Sequence, residues 1–305
     1  MKKLILHISI CFIASRLCAL GDKPAVAKIS SCPHMDGVVD IKVSLGEHVR
    51  EKQLLFKIST DYTEITKEQC KNSVWYYKEE YERVKNLAKV SAKSKENVQE
   101  AKYNLEHAIE RLKVALLLIN KWSKYYAPFD GVITRINNYS GSGVSHGSGS
   151  CDNNNAILEV MKLEDYKKGT IKIGPAVARV APMINGIVEL KVKDGEKVKK
   201  GQLLFKIDTT FYEIRKAKRM ASLEYNKAKY ERAKQLYKQN SGSLKYYQTT
   251  VYDYENAVLE LKGTELLIHK RSSYFAPFEG TVTDITYYTG SYVFTGHKVL
   301  EITKV

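Results

Sequence analysis

The chain has 305 residues, a formal net charge of +15 and only six prolines. The length fits two domains, and the basic balance by itself admits nucleic acid, anionic headgroups or an acidic partner. The cations are spread through helical stretches with no aromatic stacking platform beside them, which argues against nucleic acid and for lysine-rich solvated helix faces.

Lys2-Lys3, an apolar run from Leu4 to Ala14 and small residues near Ala19 open the chain, with no acid among residues 1–19. This order reads as an export signal over 1–19. An uncleaved anchor is the alternative, although the run is short for a membrane span. Arg16 and Leu17 argue against lipid attachment at Cys18. Export places the remainder in an oxidising compartment.

Short strands follow, at Ala25 to Ser30, Gly37 to Val43 (with Val39, Ile41 and Val43 alternating) and Leu54 to Ile58. From about Asp61 to Asn120 the period changes. Val74, Tyr77, Tyr81, Val84, Ala88 and Ser91 step by three and four, as do Val98, Ala101, Leu105, Ala108, Leu112, Ala115 and Ile119. These are two heptad-like helices joined by a turn at Ser91–Ser94, with Ser94 as N-cap, and no proline interrupts them. Strands resume at Gly131–Thr134 and Ala156–Val160, and residues 163–175 read as a polar linker.

The chain then repeats itself. Gly37 matches Gly186, Gly46 matches Gly195, Gln53–Ile58 matches Gln202–Ile207, and Ala127-Pro128-Phe129-Asp130-Gly131 matches Ala276-Pro277-Phe278-Glu279-Gly280, all at an offset of 149. The segment between the strands diverges in sequence but keeps its length. Its second copy carries Leu223, Tyr230, Ala233 and Tyr237, then Tyr247, Tyr254, Ala257, Leu261 and Ile268. Asn226, Thr250 and Thr264 make a wetter seam, and Asn240–Ser243 a more explicit turn. The seam tyrosines read as packing groups with hydroxyls at the rim. Lys52 stands where the second copy has Gly201, which implies either another turn shape or backbone strain.

The fold class expected is α+β: residues 20–162 and 176–305 each form a small β-sandwich, split by antiparallel helical hairpins over 61–121 and 210–270. No nucleophile elbow, phosphate loop or paired acid motif stands out, so no catalytic residue is assigned and the protein is expected not to be an enzyme. Cys70 fits the helix seam better than a reactive role.

This arrangement resembles the HlyD-type periplasmic adaptor, or membrane fusion, proteins. The likeness is carried by Val-x-x-Gly-Glu-x-Val-x-x-Gly-Gln-Leu-Leu-Phe-Lys-Ile-Asp at 192–208 and by Ala-Pro-Phe-[Asp/Glu]-Gly-x-[Ile/Val]-Thr at 127–134 and 276–283, bracketing a hairpin in each copy. It implies a lipoyl-like sandwich, a periplasmic adaptor of a transport or secretion system, and an outer-membrane channel and an inner-membrane transporter as partners. Adaptors of TolC-type channels carry Arg, Leu four residues on and Ser seven further, at the hairpin tip. Arg83, Leu87 and Ser94 fit that spacing, as do Arg232, Leu236 and Ser243. Each singly fits a helix surface, a seam position and an N-cap; the spacing at both tips favours docking. The family carries one hairpin per chain and assembles as six, so two hairpins imply self-association of three chains. Unlike the family, unit one here passes straight to unit two, without a β-barrel or membrane-proximal domain between them.

Other readings stay open. Residues 127–207 parse alternatively as one carrier module, with Glu159-Val160-Met161-Lys162 as a biotin-like turn; otherwise no cofactor is expected. A standalone exported interaction protein using its hairpins is the third class. In a lipoyl-like sandwich the first and last strands run antiparallel side by side. This implies a disulfide between Cys32 and Cys151, with a two-Cys, two-His metal site of Cys32, His34, His146 and Cys151 as the weaker reading.

Overall fold

A computed structural model describes residues 26–29, 35–144, 156–167 and 173–304. In the first unit one sheet runs in the order β1 (Val26–Ile29), β8 (Leu158–Lys162), β6 (Gly131–Ile136) and β3 (His48–Val49). The other runs β5 (Lys124–Tyr126), β4 (Leu54–Ile58), β2 (Gly37–Ile41) and β7 (Gly143–Val144). All pairings are antiparallel, and Val39, Phe56, Ile133 and Val160 from the two sheets meet in one buried core.

The second unit repeats the order. Its sheets are β9 (Val177–Val180), β16 (Leu300–Thr303), β14 (Gly280–Thr283), β11 (Lys197–Val198), and β13 (Ser273–Phe275), β12 (Leu203–Ile207), β10 (Gly186–Leu190), β15 (Tyr292–Val293). Gly131 and Gly280 are held small by the neighbouring strand: a Cβ would sit 2.2 Å from the Met161 carbonyl oxygen and 2.4 Å from that of Thr303, respectively.

Each hairpin leaves between two neighbouring strands of one sheet. Phe56 of β4 is paired in register with Tyr125 of β5, and the rings stack with centroids 4.5 Å apart. Phe205 and Tyr274 repeat the stack at 4.6 Å. The strand pair thereby fixes where both helices start and end. The first hairpin is α1 (Asp61–Lys89) and α2 (Lys95–Leu117), closing through a π-helical turn at Leu118–Trp122. A short helix, α3 (Leu163–Lys167), begins the stretch expected as linker. The second hairpin is α4 (Thr210–Lys238) and α5 (Leu244–Lys270). Helices of 29 residues make rods about 45 Å long.

The seam is built on small residues. Ala101, Ala108 and Ala115 are buried seven apart on α2, so the helices approach closely. In the second seam the polar residues are bonded within their own helices, and Asn226, half-buried, donates to the Ser222 carbonyl. Thr250 and Thr264 are buried, and their hydroxyls donate to the Tyr247 and Glu260 carbonyls, so each polar group is satisfied within its own helix.

The units and their hairpins touch. Gly143 N–H donates to the Ala181 carbonyl at 2.8 Å and Arg179 N–H to that of Asn137, while Tyr139 meets Phe278 edge-on at 4.9 Å. A Cβ on Gly143 would lie 2.5 Å from the Pro182 carbonyl oxygen, so only glycine permits this approach. α1 packs against α5, antiparallel, so the four helices form one layer ordered α2-α1-α5-α4.

The carrier parsing of 127–207 fails on β8. Glu159–Lys162 lie in a strand paired on both sides, to β1 and β6, and not in a turn. β1 does run antiparallel to β8. Cys32, His34, His146 and Cys151, with the signal at 1–19, lie outside the described residues.

Candidate docking site at the hairpin tips

Both tips are closed by the same local device. α1 ends in a Schellman motif. Ser91 takes the left-handed conformation (φ 58°), Ser91 N–H donates to the Ala88 carbonyl at 3.1 Å and Ala92 N–H to the Leu87 carbonyl at 2.9 Å. Ser94 then caps α2, accepting from Asn97 N–H at 3.2 Å, while Asn97 Oδ1 accepts from Ser94 N–H in a reciprocal capping box. In the second hairpin Asn240 (φ 55°) holds the left-handed position, Ser241 N–H donates to the Leu236 carbonyl, and Ser243 Oγ accepts from Tyr246 N–H at 3.1 Å. Gly242 fits under Leu236, where a Cβ would lie 2.9 Å from Leu236 Cβ.

The seven-residue step from Leu to Ser therefore has a structural cause. Leu87 and Leu236 are the residues whose carbonyls close the C-terminal turn, and Ser94 and Ser243 open the next helix. What the spacing leaves for a partner is the side chains. Leu87 is exposed, and so are Val90 at the apex of the first tip and Leu244 and Tyr246 beside the second. The last three carry no periodic signal in the sequence. They sit in a turn or in the first helical turn, where exposure depends on tip geometry.

The two arginines differ. Arg83 is drawn into the contact between hairpins: it pairs with Glu80, and its Nη1 lies 3.5 Å from Gln248 Oε1 on α5. Gln248 Nε2 in turn donates to Glu79 at 3.0 Å, and Lys245 lies 3.6 Å from Glu80. Partial burial lowers the Arg83 guanidinium below its ordinary value, partly offset by the Tyr76 and Glu79 side chains. Arg232, its counterpart on α4, is exposed. Asp61 meets Lys270 at the base, while Lys245, the second residue of α5, meets Glu80, nine residues before the end of α1, so both tips lie at the same end of the layer and the first reaches further out.

Cys70 is buried in the first seam, and that burial pushes its thiol up. Among the described residues no group of three His, Cys, Asp or Glu side chains could hold a metal, and no helix is long and apolar enough to cross a membrane.

Comparison with known proteins bears on the second unit. Residues 176–304 match the family profile "RND MFP, barrel-sandwich hybrid domain". The antibiotic efflux pump periplasmic linker protein ArpA of Pseudomonas putida is 31% identical over 121 residues, 39% of this chain and 32% of that protein. The multidrug/solvent efflux pump periplasmic linker protein MepA of the same species is 31% identical over 39% of this chain and 31% of its own length. The chain thus spans about a third of the length of the curated relatives it matches. Among solved structures, a MacA–MexA chimeric protein containing the Pseudomonas aeruginosa MexA α-hairpin domain is 25% identical (TM-score 0.34, 42% of this chain, 48% of that one). The membrane fusion protein Spr0693 of Streptococcus pneumoniae R6 is 14% identical (TM-score 0.35, 56% and 73%). Over residues 176–304 the chain is thus similar to the barrel-sandwich hybrid domain of the RND membrane fusion proteins, the adaptor family that its strand motifs resemble.

Proposed function

We propose that this protein is a non-enzymatic, exported periplasmic adaptor of an efflux or secretion system. Its two lipoyl-like units hold the paired hairpins, whose tips dock on an outer-membrane channel. The observation that carries this reading is the pair of tips at one end of the layer, each built from the same capped turn with exposed apolar side chains and held side by side by the α1–α5 contact. The mechanism is geometric. Rigid rods transmit position from the sandwiches to the tips, where Leu87, Leu236 and neighbouring apolar groups seat in grooves of the partner. Arg232 supplies a forked donor, Arg83 instead ties the two hairpins together, and Ser94 and Ser243 hold the turns in shape. Self-association into a tube of hairpins, with three chains supplying six, fits the same scheme. An inner-membrane transporter is the second partner, in keeping with the efflux-pump linkers that the chain resembles.

The test is co-purification from native envelopes. Tagged protein is expected to bring down an outer-membrane channel, and Leu87→Asp with Leu236→Asp to lose it while keeping helix content. Retention of the channel by the double variant would remove the tips from the account.

A further inference from the structure

The internal repeat predicts its own continuation. Within the chain, α1 of unit one packs on α5 of unit two. The positions equivalent to this contact, 149 residues away in each direction, lie on α4 and α2, the outer helices of the layer. They keep the chemistry of a contact, but among the described elements no further helix packs on them. Ile65 is 6% exposed between α1 and α5, whereas its counterpart Ile214 on α4 is 66% exposed. Tyr76 stacks on Tyr252 at 4.8 Å; their counterparts Tyr225 and Tyr103 are 64% and 66% exposed. On α4, Phe211, Ile214, Ala217, Ala221, Tyr225 and Ala228 follow at steps of three and four, all exposed. On α2, Tyr103, Val114 and Leu117 are exposed at the places of Tyr252, Gly263 and Leu266.

Charge adds a second, independent observation. The pair Glu80–Lys245 across α1 and α5 becomes Lys229 on α4 and Glu96 on α2. Both signs are reversed, so attraction is preserved, with Lys229 also 3.7 Å from Asp253 of its own hairpin. Ser73, whose hydroxyl meets the Tyr252 hydroxyl at 3.2 Å, is matched by Ser222, opposite Tyr103 in the same scheme.

We propose that α4 of one copy packs on α2 of a second copy of this chain, repeating the α1–α5 contact. The interface is head-to-tail, so each chain uses two different faces and assembly continues past a dimer. The contact belongs to the hairpins. At sandwich level, Gly143, which admits the Pro182 carbonyl, is replaced by Tyr292 in unit two, so that close approach is not repeated. The inference rests on the self-association part of the function proposed above and not on channel docking.

Two exposed positions test it: Ile214→Glu blocks the α4 face and Val114→Glu the α2 face. Glutamate is a good helix former and both sites are exposed, so folding should be unaffected, which circular dichroism checks. Sedimentation of the full chain across a concentration series should show the wild type growing beyond a dimer and both variants remaining monomeric. An equimolar mixture of the two variants retains one good α4 face and one good α2 face, and should stop at a dimer. The proposal is overturned by a wild type that stays monomeric or stops at a dimer, by either variant assembling as the wild type does, or by a mixture that stays monomeric. No channel is present in the assay, so its failure and the failure of docking are separate results.

Discussion

The Tyr76 ring lies on Tyr252 with centroids 4.8 Å apart and planes inclined by 26°, joining α1 to α5 across the middle of the helical layer. The Tyr76 hydroxyl is 3.3 Å from that of Thr249, and Ser73 reaches the Tyr252 hydroxyl. This relationship makes two hairpins one body. A double-mutant cycle of Tyr76→Ala and Tyr252→Ala is expected to give a coupling of about 0.5–1.5 kcal/mol in urea unfolding. A coupling near zero would mean that the hairpins are independent rods.

Lys52 and Gly201 answer a question that the sequence leaves open. Both are left-handed, with φ 64° and 80°, so the two turns have one shape and Lys52 bears the strain. Lys52→Gly should be neutral to stabilising, by up to about 1 kcal/mol, because relief of strain is partly offset by the greater freedom of glycine in the unfolded chain. Gly201→Ala should cost about 1 kcal/mol. Thermal unfolding of both variants reads the signs.

The alanine seam is close-packed. Ala108 is 3% exposed between α1 and α2. Ala108→Leu is expected to destabilise by about 1–3 kcal/mol, because the added methylenes meet a filled interface. An exposed control such as Lys102→Leu should change stability by less than about 0.5 kcal/mol. Equal effects at the two sites would deny a tight seam.

Tyrosines set the alkaline limit. Burial raises the Tyr139 phenol to about 12 and pushes Tyr274 up further. A folded-state value above the unfolded one, about 10, means that the folded state keeps a proton that the unfolded state releases. Stability is therefore intact below pH 10 and falls as pH rises through 10 to 12. Tyr139→Phe removes this term, so its loss of stability over that window should be shallower than the wild type's. Tyr274→Phe should also cost about 1–3 kcal/mol at neutral pH, because its hydroxyl accepts from Met183 N–H and donates to the Arg271 carbonyl. A pH-unfolding series on both variants measures the two effects.

Strands and hairpins were legible because their signals are local. Alternation marks Gly37–Ile41, and steps of three and four mark α1 and α2. Gly131 and Gly280 recur because a neighbouring strand's carbonyl leaves no room for a Cβ. The lateral contact between hairpins was not legible. Arg83 and Tyr76 look like surface residues until α5 arrives from more than 160 positions away. The burial of Thr250 and Thr264 was not legible either, because a threonine that bonds its own helix reads as polar in a sequence. The biotin-like reading of Glu159–Lys162 failed for the converse reason, since a motif of four residues says nothing about the two strands that flank it.

The central claim concerns what the tips touch. A photo-crosslinking amino acid at Lys93, and separately at Gln239, each exposed beside its tip turn, should capture an outer-membrane channel in the native cell. Capture from both sites is the result that the account predicts. Absence of any channel from both sites, with the protein present and folded, would contradict it.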